Sequence, residues 1–118
     1  MKMRFFYLII LICSGNAYSQ ENRSLSVSVF EKRLPIADAT VLYKTFENDS
    51  LKPVVCQTNY LGSSRIEVAK TETEININYG YSVSVINLIK NCDSLKFDIK
   101  RQRVIYFKNG KQLSRRKI

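Results

Sequence analysis

Hydroxyl and apolar residues alternate once the chain has passed its first twenty positions: Leu25, Val27 and Val29 interleave with Ser24, Ser26 and Ser28. Successive side chains of an extended strand point to opposite faces, so this spacing predicts an antiparallel strand with one buried side. The same period of two recurs down the chain with almost no helical stripe. A turn at Glu31 to Arg33 leads to a second strand whose inward set is Ala39, Val41 and Tyr43. Val54 to Thr58 predicts a third strand, and Ser64 to Val68 a fourth with Ile66 and Val68 inward. In the fifth, Ile75, Ile77 and Tyr79 alternate with Glu74, Asn76 and Asn78. Gly80-Tyr81 interrupts, Val83 and Val85 carry a sixth, and Leu95, Phe97 and Ile99 a seventh. Phe46 to Lys52 is polar and turn-rich, which predicts an exposed loop. The expected fold is all-β, a seven-stranded antiparallel two-sheet sandwich.

Past the seventh strand, Val104 to Phe107 reads as a strand entering the turn Lys108-Asn109-Gly110-Lys111. Asn-Gly supplies the two positive φ angles of a type I′ hairpin. The return strand, Gln112 to Arg115, has Leu113 as its only apolar anchor. The hairpin either extends a sheet edge or projects as a basic ribbon.

The first residues set the expected compartment. Lys2 and Arg4 form a basic start, Phe5 to Cys13 an apolar run, and Ala17-Tyr18-Ser19 a cleavage pattern before Gln20. The run is about half the roughly 20 residues that cross a hydrocarbon core. Residues 1–19 therefore read as a signal peptide, and the protein as exported. A lipid anchor on Cys13 is the weaker reading, because Ile12 stands where a small residue belongs. The remaining chain suffices for one domain with one core, expected at residues 20–99 and followed by a basic hairpin or tail at 100–118.

Charge is unevenly distributed. Residues 20–99 hold nine Lys and Arg against ten Asp and Glu, whereas residues 100–118 hold eight basic residues and no acidic one. Lys108, Lys111, Arg115, Arg116 and Lys117 are therefore candidate contacts for anionic polymers or lipid headgroups. Nucleic acid is disfavoured by export, and no aromatic interleaves Ser114 to Ile118 as a stacking surface requires.

Pro35-Ile36-Ala37-Asp38-Ala39-Thr40-Val41, Thr58 to Val68 and Ile77-Asn78-Tyr79-Gly80-Tyr81 together resemble the carboxypeptidase regulatory-like domain, a transthyretin-like module of exported bacterial proteins. The family's segments run PLPGATV, then a T-D-x-x-G turn with a following strand, then S-Y-x-G-Y. Here Asp38 stands at the usual Gly, Asn59 at the usual Asp, and Ser64 at the usual core aromatic. The resemblance implies a periplasmic or cell-surface accessory module beside a larger protein, which here would be a separate chain.

Catalytic chemistry has little material. The chain contains no histidine, which excludes Ser-His-Asp and Cys-His constellations and zinc sites that need His with Cys. Its four glycines are isolated, so no Gly-rich phosphate loop forms and no cofactor is expected. Cys56 and Cys92 invite one disulfide in an oxidising compartment, the alternative being a buried Cys56 and an exposed Cys92 thiol. Tyr43, Tyr79 and Phe97 are expected in the core, while Tyr60 and Tyr81, beside turns, are candidate contacts. Two functions follow: a non-catalytic module that binds a partner protein, or a polyanion- or envelope-binding protein acting through its basic C-terminal segment.

Overall fold

The structure, a computed structural model, describes residues 21–118, so the expected signal segment and Cys13 lie outside the described residues. Ten strands follow in order: β1 (Asn22–Glu31), β2 (Leu34–Pro35), β3 (Thr40–Glu47), β4 (Ser50–Gln57), β5 (Ser63–Ala69), β6 (Glu74–Tyr79), β7 (Ser82–Asn87), β8 (Ser94–Asp98), β9 (Arg103–Lys108) and β10 (Lys111–Lys117). They form a six-stranded sheet ordered β10-β9-β8-β1-β2, with β5 also paired to β1, and a four-stranded sheet ordered β4-β3-β6-β7. The all-β, two-sheet expectation holds, with ten strands in place of seven. One pairing departs from the antiparallel rule, because β1 runs parallel to β8.

The alternation buries one face of each sheet. Leu25, Val27 and Val29 of β1, Ile66 and Val68 of β5, and Leu95 and Phe97 of β8 meet Val41, Ile75, Ile77 and Ile86 of the smaller sheet in one core. Val104 and Tyr106 of β9 belong to the same core, and β9 pairs along β8. The C-terminal hairpin is thus part of the larger sheet, and the core continues past residue 99.

Two local expectations are corrected, and a turn length sets the phase of one strand. Phe46 to Lys52 is a continuous β3–β4 hairpin, closed by Asn48 and Asp49 at φ 50° and 63°. Asn and Asp tolerate the left-handed region, so this polar stretch turns within two residues and needs no loop. Val83 and Val85 point outward: the two-residue Gly80-Tyr81 turn pairs Ile77 with Ser84, which turns Ser84 and Ile86 to the core. Tyr79 is exposed, since its side of β6 passes beyond the core at the turn. The Asn109-Gly110 turn, at φ 52° and 79°, forms as expected. Its return strand runs to Lys117, with an irregularity between Gln112 and Ser114 that leaves Leu113 exposed.

The registers sort the turns onto two ends. One end carries the turns at 32–33, 36–39, 58–62, 80–81 and 99–102 and the C-terminus; the other carries those at 48–49, 70–73, 88–93 and 109–110. At the first end Thr58, almost fully buried, ties both crossings between the sheets. Its hydroxyl donates to the Ile36 carbonyl at 2.7 Å and accepts from the Ala39 N–H at 3.0 Å. At the second end the Asn22 side chain brackets Phe46, accepting from its N–H at 2.9 Å and donating to its carbonyl at 3.1 Å.

Candidate cationic groove and turn surface

The parallel β1–β8 pairing sets the end of β1 beside the end of β8, with Phe30 opposite Asp98. The Lys32-Arg33 turn therefore lands next to the 99–102 turn. Asp98 fixes this junction: Oδ1 accepts from the backbone N–H groups of Lys100 and Arg101, both at 3.0 Å, and of Lys32 at 3.4 Å. Ile99 N–H donates to the Phe30 carbonyl at 2.8 Å. These bonds hold two basic turns together although 66 residues of chain separate Lys32 from Asp98.

A groove of about 390 Å³ opens on the outer face of the larger sheet at this junction. Lys32, Arg33, Lys96, Arg101, Arg103 and Arg115 line it, above a floor that includes the outward-facing Phe30 and Ile105. Its one carboxylate is Asp98, and Arg101 Nε lies 3.9 Å from it. Among the described residues no ion pair engages Lys32, Arg33, Lys96, Arg103 or Arg115. Lys96 Nζ sits between two aromatic faces, 6.0 Å from the Phe30 ring centre and 5.5 Å from that of Phe107. Stacking a cation on aromatic faces fixes its position while leaving its charge available. Unneutralised cations over an apolar floor attract an anionic group and can cover the non-polar part of its carrier.

The groove runs into a second depression where Lys32, Arg33 and Arg101 are joined by Leu34, Lys100 and Glu31. Beside it stands the 58–62 turn. Asn59 Oδ1 accepts from Leu61 N–H at 2.9 Å and Ser63 N–H at 3.1 Å, so the side chain replaces a turn of backbone hydrogen bonds. Gly62, at φ 73°, lets this turn touch β1, because a Cβ there would stand 2.6 Å from the Val29 carbonyl oxygen. The apolar residues forced outward are Leu34, Tyr60 and Leu61, which are 71%, 79% and 56% exposed. Tyr81, fully exposed, stands on the 80–81 turn of the same end.

The structure divides the residues singled out in the sequence. Tyr60 and Tyr81 share the first end; Arg115 joins the groove, and Lys117 pairs with Arg103 at its margin. Arg116 lies on the other side of β10, its guanidinium 5.8 Å from the Tyr106 ring centre. Lys108 and Lys111 flank the Asn109-Gly110 turn at the opposite end. Cys56 and Cys92 are both free thiols. Cys92 is the buried one, its Sγ donating to the Ile89 carbonyl at 3.3 Å, while Cys56 is half-buried beside Ser64 Oγ at 3.1 Å.

Sequence reasoning passed over Lys32, Arg33 and Lys96. The outward phase of Lys96 in its strand was a usable signal, but its nearness to Lys32 and Arg33 follows from the parallel pairing, which no local pattern carries. The buried phenol of Tyr106 donates to the Asn87 carbonyl of the smaller sheet. Burial holds this phenol above its ordinary value; the Arg116 guanidinium opposes the rise and Cys92 adds to it. No family model, curated protein or solved structure matches this chain.

Proposed function

We propose that the chain is an exported, non-catalytic β-sandwich that binds an anionic ligand of the cell envelope, one rich in phosphate or carboxylate groups. The observation that carries this reading is the groove, in which Lys32, Arg33 and Lys96 join Arg101, Arg103 and Arg115 against a single carboxylate. The binding surface is therefore shared by the body of the sandwich and its C-terminal hairpin. Titration with polyphosphate tests it. Arg103→Ser with Arg115→Ser should weaken binding about tenfold, and raising salt well past about 0.1 M should weaken the wild type in the same direction. Unchanged affinity in the double variant would refute the groove.

A second reading keeps the family resemblance at its centre: a transthyretin-like accessory module that pairs with a separate envelope protein. It is favoured by β7, which lies at the edge of the smaller sheet and carries neither charge nor proline. Such an edge accepts an added strand, whereas the opposite edge, β4, carries Lys52 and Pro53. One envelope protein captured by the wild type and lost on Val83→Lys with Val85→Lys would support it; identical capture by both would sink it.

A further inference from the structure

We propose that the end of the sandwich bearing Leu34, Tyr60, Leu61 and Tyr81 docks on an anionic lipid surface, the apolar tips entering the interface and the surrounding cations meeting headgroups. This deepens the groove reading, on which it rests, by naming a bilayer as the source of the anionic groups.

Shape supports a flat partner. Leu34 opens the short strand β2 just after the 32–33 turn, Tyr60 and Leu61 stand on the 58–62 turn and Tyr81 on the 80–81 turn, and Leu34, Tyr60 and Leu61 are each more than half exposed. Tyr60, Leu61 and Tyr81 stand at the tips of their turns, while Leu34 borders the depression it shares with Lys32 and Arg33. The 58–62 turn and the neighbouring crossing are also braced by hydrogen bonds. Thr58 clasps the crossings at 2.7 and 3.0 Å, Asn59 caps the 58–62 turn, and Val29 N–H donates to the Gly62 carbonyl at 2.7 Å. Tips held outward in this way have no core of their own to retreat into.

Chemistry supports an anionic bilayer. Leucine and tyrosine suit the boundary of a bilayer, where an apolar body enters and a phenol hydroxyl stays in water. Lys32, Arg33, Lys100, Arg101, Arg103 and Lys117 lie at this end, and basic residues next to an inserted apolar group strengthen binding to anionic lipid. The side-chain carboxylates here are Glu31, Asp38 and Asp98, and Asp98 is occupied by three backbone N–H groups and Arg101. A second copy of the chain is a poor occupant, because two such cationic ends repel. The opposite end lacks the combination: there Glu21, Glu47, Asp49, Glu72, Glu74 and Asp93 balance Arg23, Lys52, Lys70, Lys90, Lys108 and Lys111.

The test is sedimentation of residues 21–118, which hold the ten described strands and the core they form, with vesicles of phosphatidylglycerol and phosphatidylcholine or of phosphatidylcholine alone. The tip variant Leu34→Ser, Tyr60→Ser, Leu61→Ser should bind the anionic vesicles at least about tenfold more weakly and bind polyphosphate like the wild type, with an unchanged far-ultraviolet spectrum. Equal vesicle binding by the tip variant would overturn the proposal. So would equal loss of vesicle and polyphosphate binding, which would mean that the tips serve the groove instead of a bilayer. Binding of the wild type to polyphosphate without vesicles overturns the docking and leaves the groove standing. Polyphosphate binding indifferent to Arg103→Ser with Arg115→Ser removes the groove reading itself.

Discussion

At one end of the sandwich the two crossings between sheets are held by the hydroxyl of Thr58, and at the other the sheets are joined by the Asn22 amide and the Tyr106 phenol. The first end pushes leucine and tyrosine into water among cations; the second mixes lysine with carboxylates and pairs some of them, as in the Lys70–Glu21 contact at 2.6 Å. Both ends are turns on the same two sheets, so the difference does not come from the strand pattern. It comes from how tightly each end is tied and which side chains are left outside the tie. Stability and binding should therefore respond differently to changes at the two ends.

Two glycines break the comparison most sharply. Gly62→Ala, at the cationic end, must accommodate a Cβ 2.6 Å from a backbone oxygen as well as a left-handed φ, and should cost about 3 kcal/mol or more in urea unfolding. Gly110→Ala, at the other end, meets only open space and should cost about 1–2 kcal/mol for its φ alone. Equal losses would show that the first turn shifts freely and is not braced against β1. Thr58→Val comes next: it strands the buried Ile36 carbonyl and Ala39 N–H, and should destabilise by about 1–3 kcal/mol. A neutral Thr58→Val would mean that the clasp is dispensable.

The strand faces were largely legible, because period-two alternation and a buried inner face are the same fact read twice: Leu25, Val27, Val29, Ile75, Ile77, Leu95 and Phe97 all sit where alternation puts them. Legibility failed where turn chemistry sets the register. The hairpin at Phe46 to Lys52 depends on Asn48 and Asp49 entering the left-handed region, which a polar stretch does not announce, and the outward phase of Val83 and Val85 is set by the length of the Gly80-Tyr81 turn. Charge counting found a basic C-terminus but could not divide it: the strand path sends Lys108 and Lys111 to one end and Lys117 to the other, with Arg115 entering the groove. The groove itself depends on pairing β1 with β8, residues too far apart in the chain for any local signal.

Charge removal sharpens the same comparison with a smaller energy. Lys32→Ser with Lys100→Ser, at the cationic end, should lower polyphosphate affinity about tenfold at low salt, equivalent to about 1.4 kcal/mol. Lys108→Ser with Lys111→Ser removes the same formal charge at the mixed end and should change affinity by less than about twofold, since these residues lie far from the groove beside Asp93. If both pairs weaken binding alike, net charge governs affinity and the groove has no special role.

The smallest expected effect separates the two ties by pH. Thr58 has no titratable group, whereas the Tyr106 phenol is held above its ordinary value of about 10, chiefly by burial. Because the folded phenol holds its proton more tightly than the unfolded one, its contribution to stability is complete below about pH 10 and is lost as pH rises through the folded value. Tyr43 is raised in the same direction, by burial first and then by Cys56 and Glu67, so both phenols act together in this window. Tyr106→Phe should cost about 1 kcal/mol at neutral pH, from the unpaired Asn87 carbonyl, and should flatten the alkaline fall of the melting temperature. Hydrogen exchange in the wild type above about pH 10 should then rise first in β7, around Asn87, while amides near Thr58 stay protected. Simultaneous loss of protection at both ends would show that the sandwich opens as one unit and that the two ties are not independent.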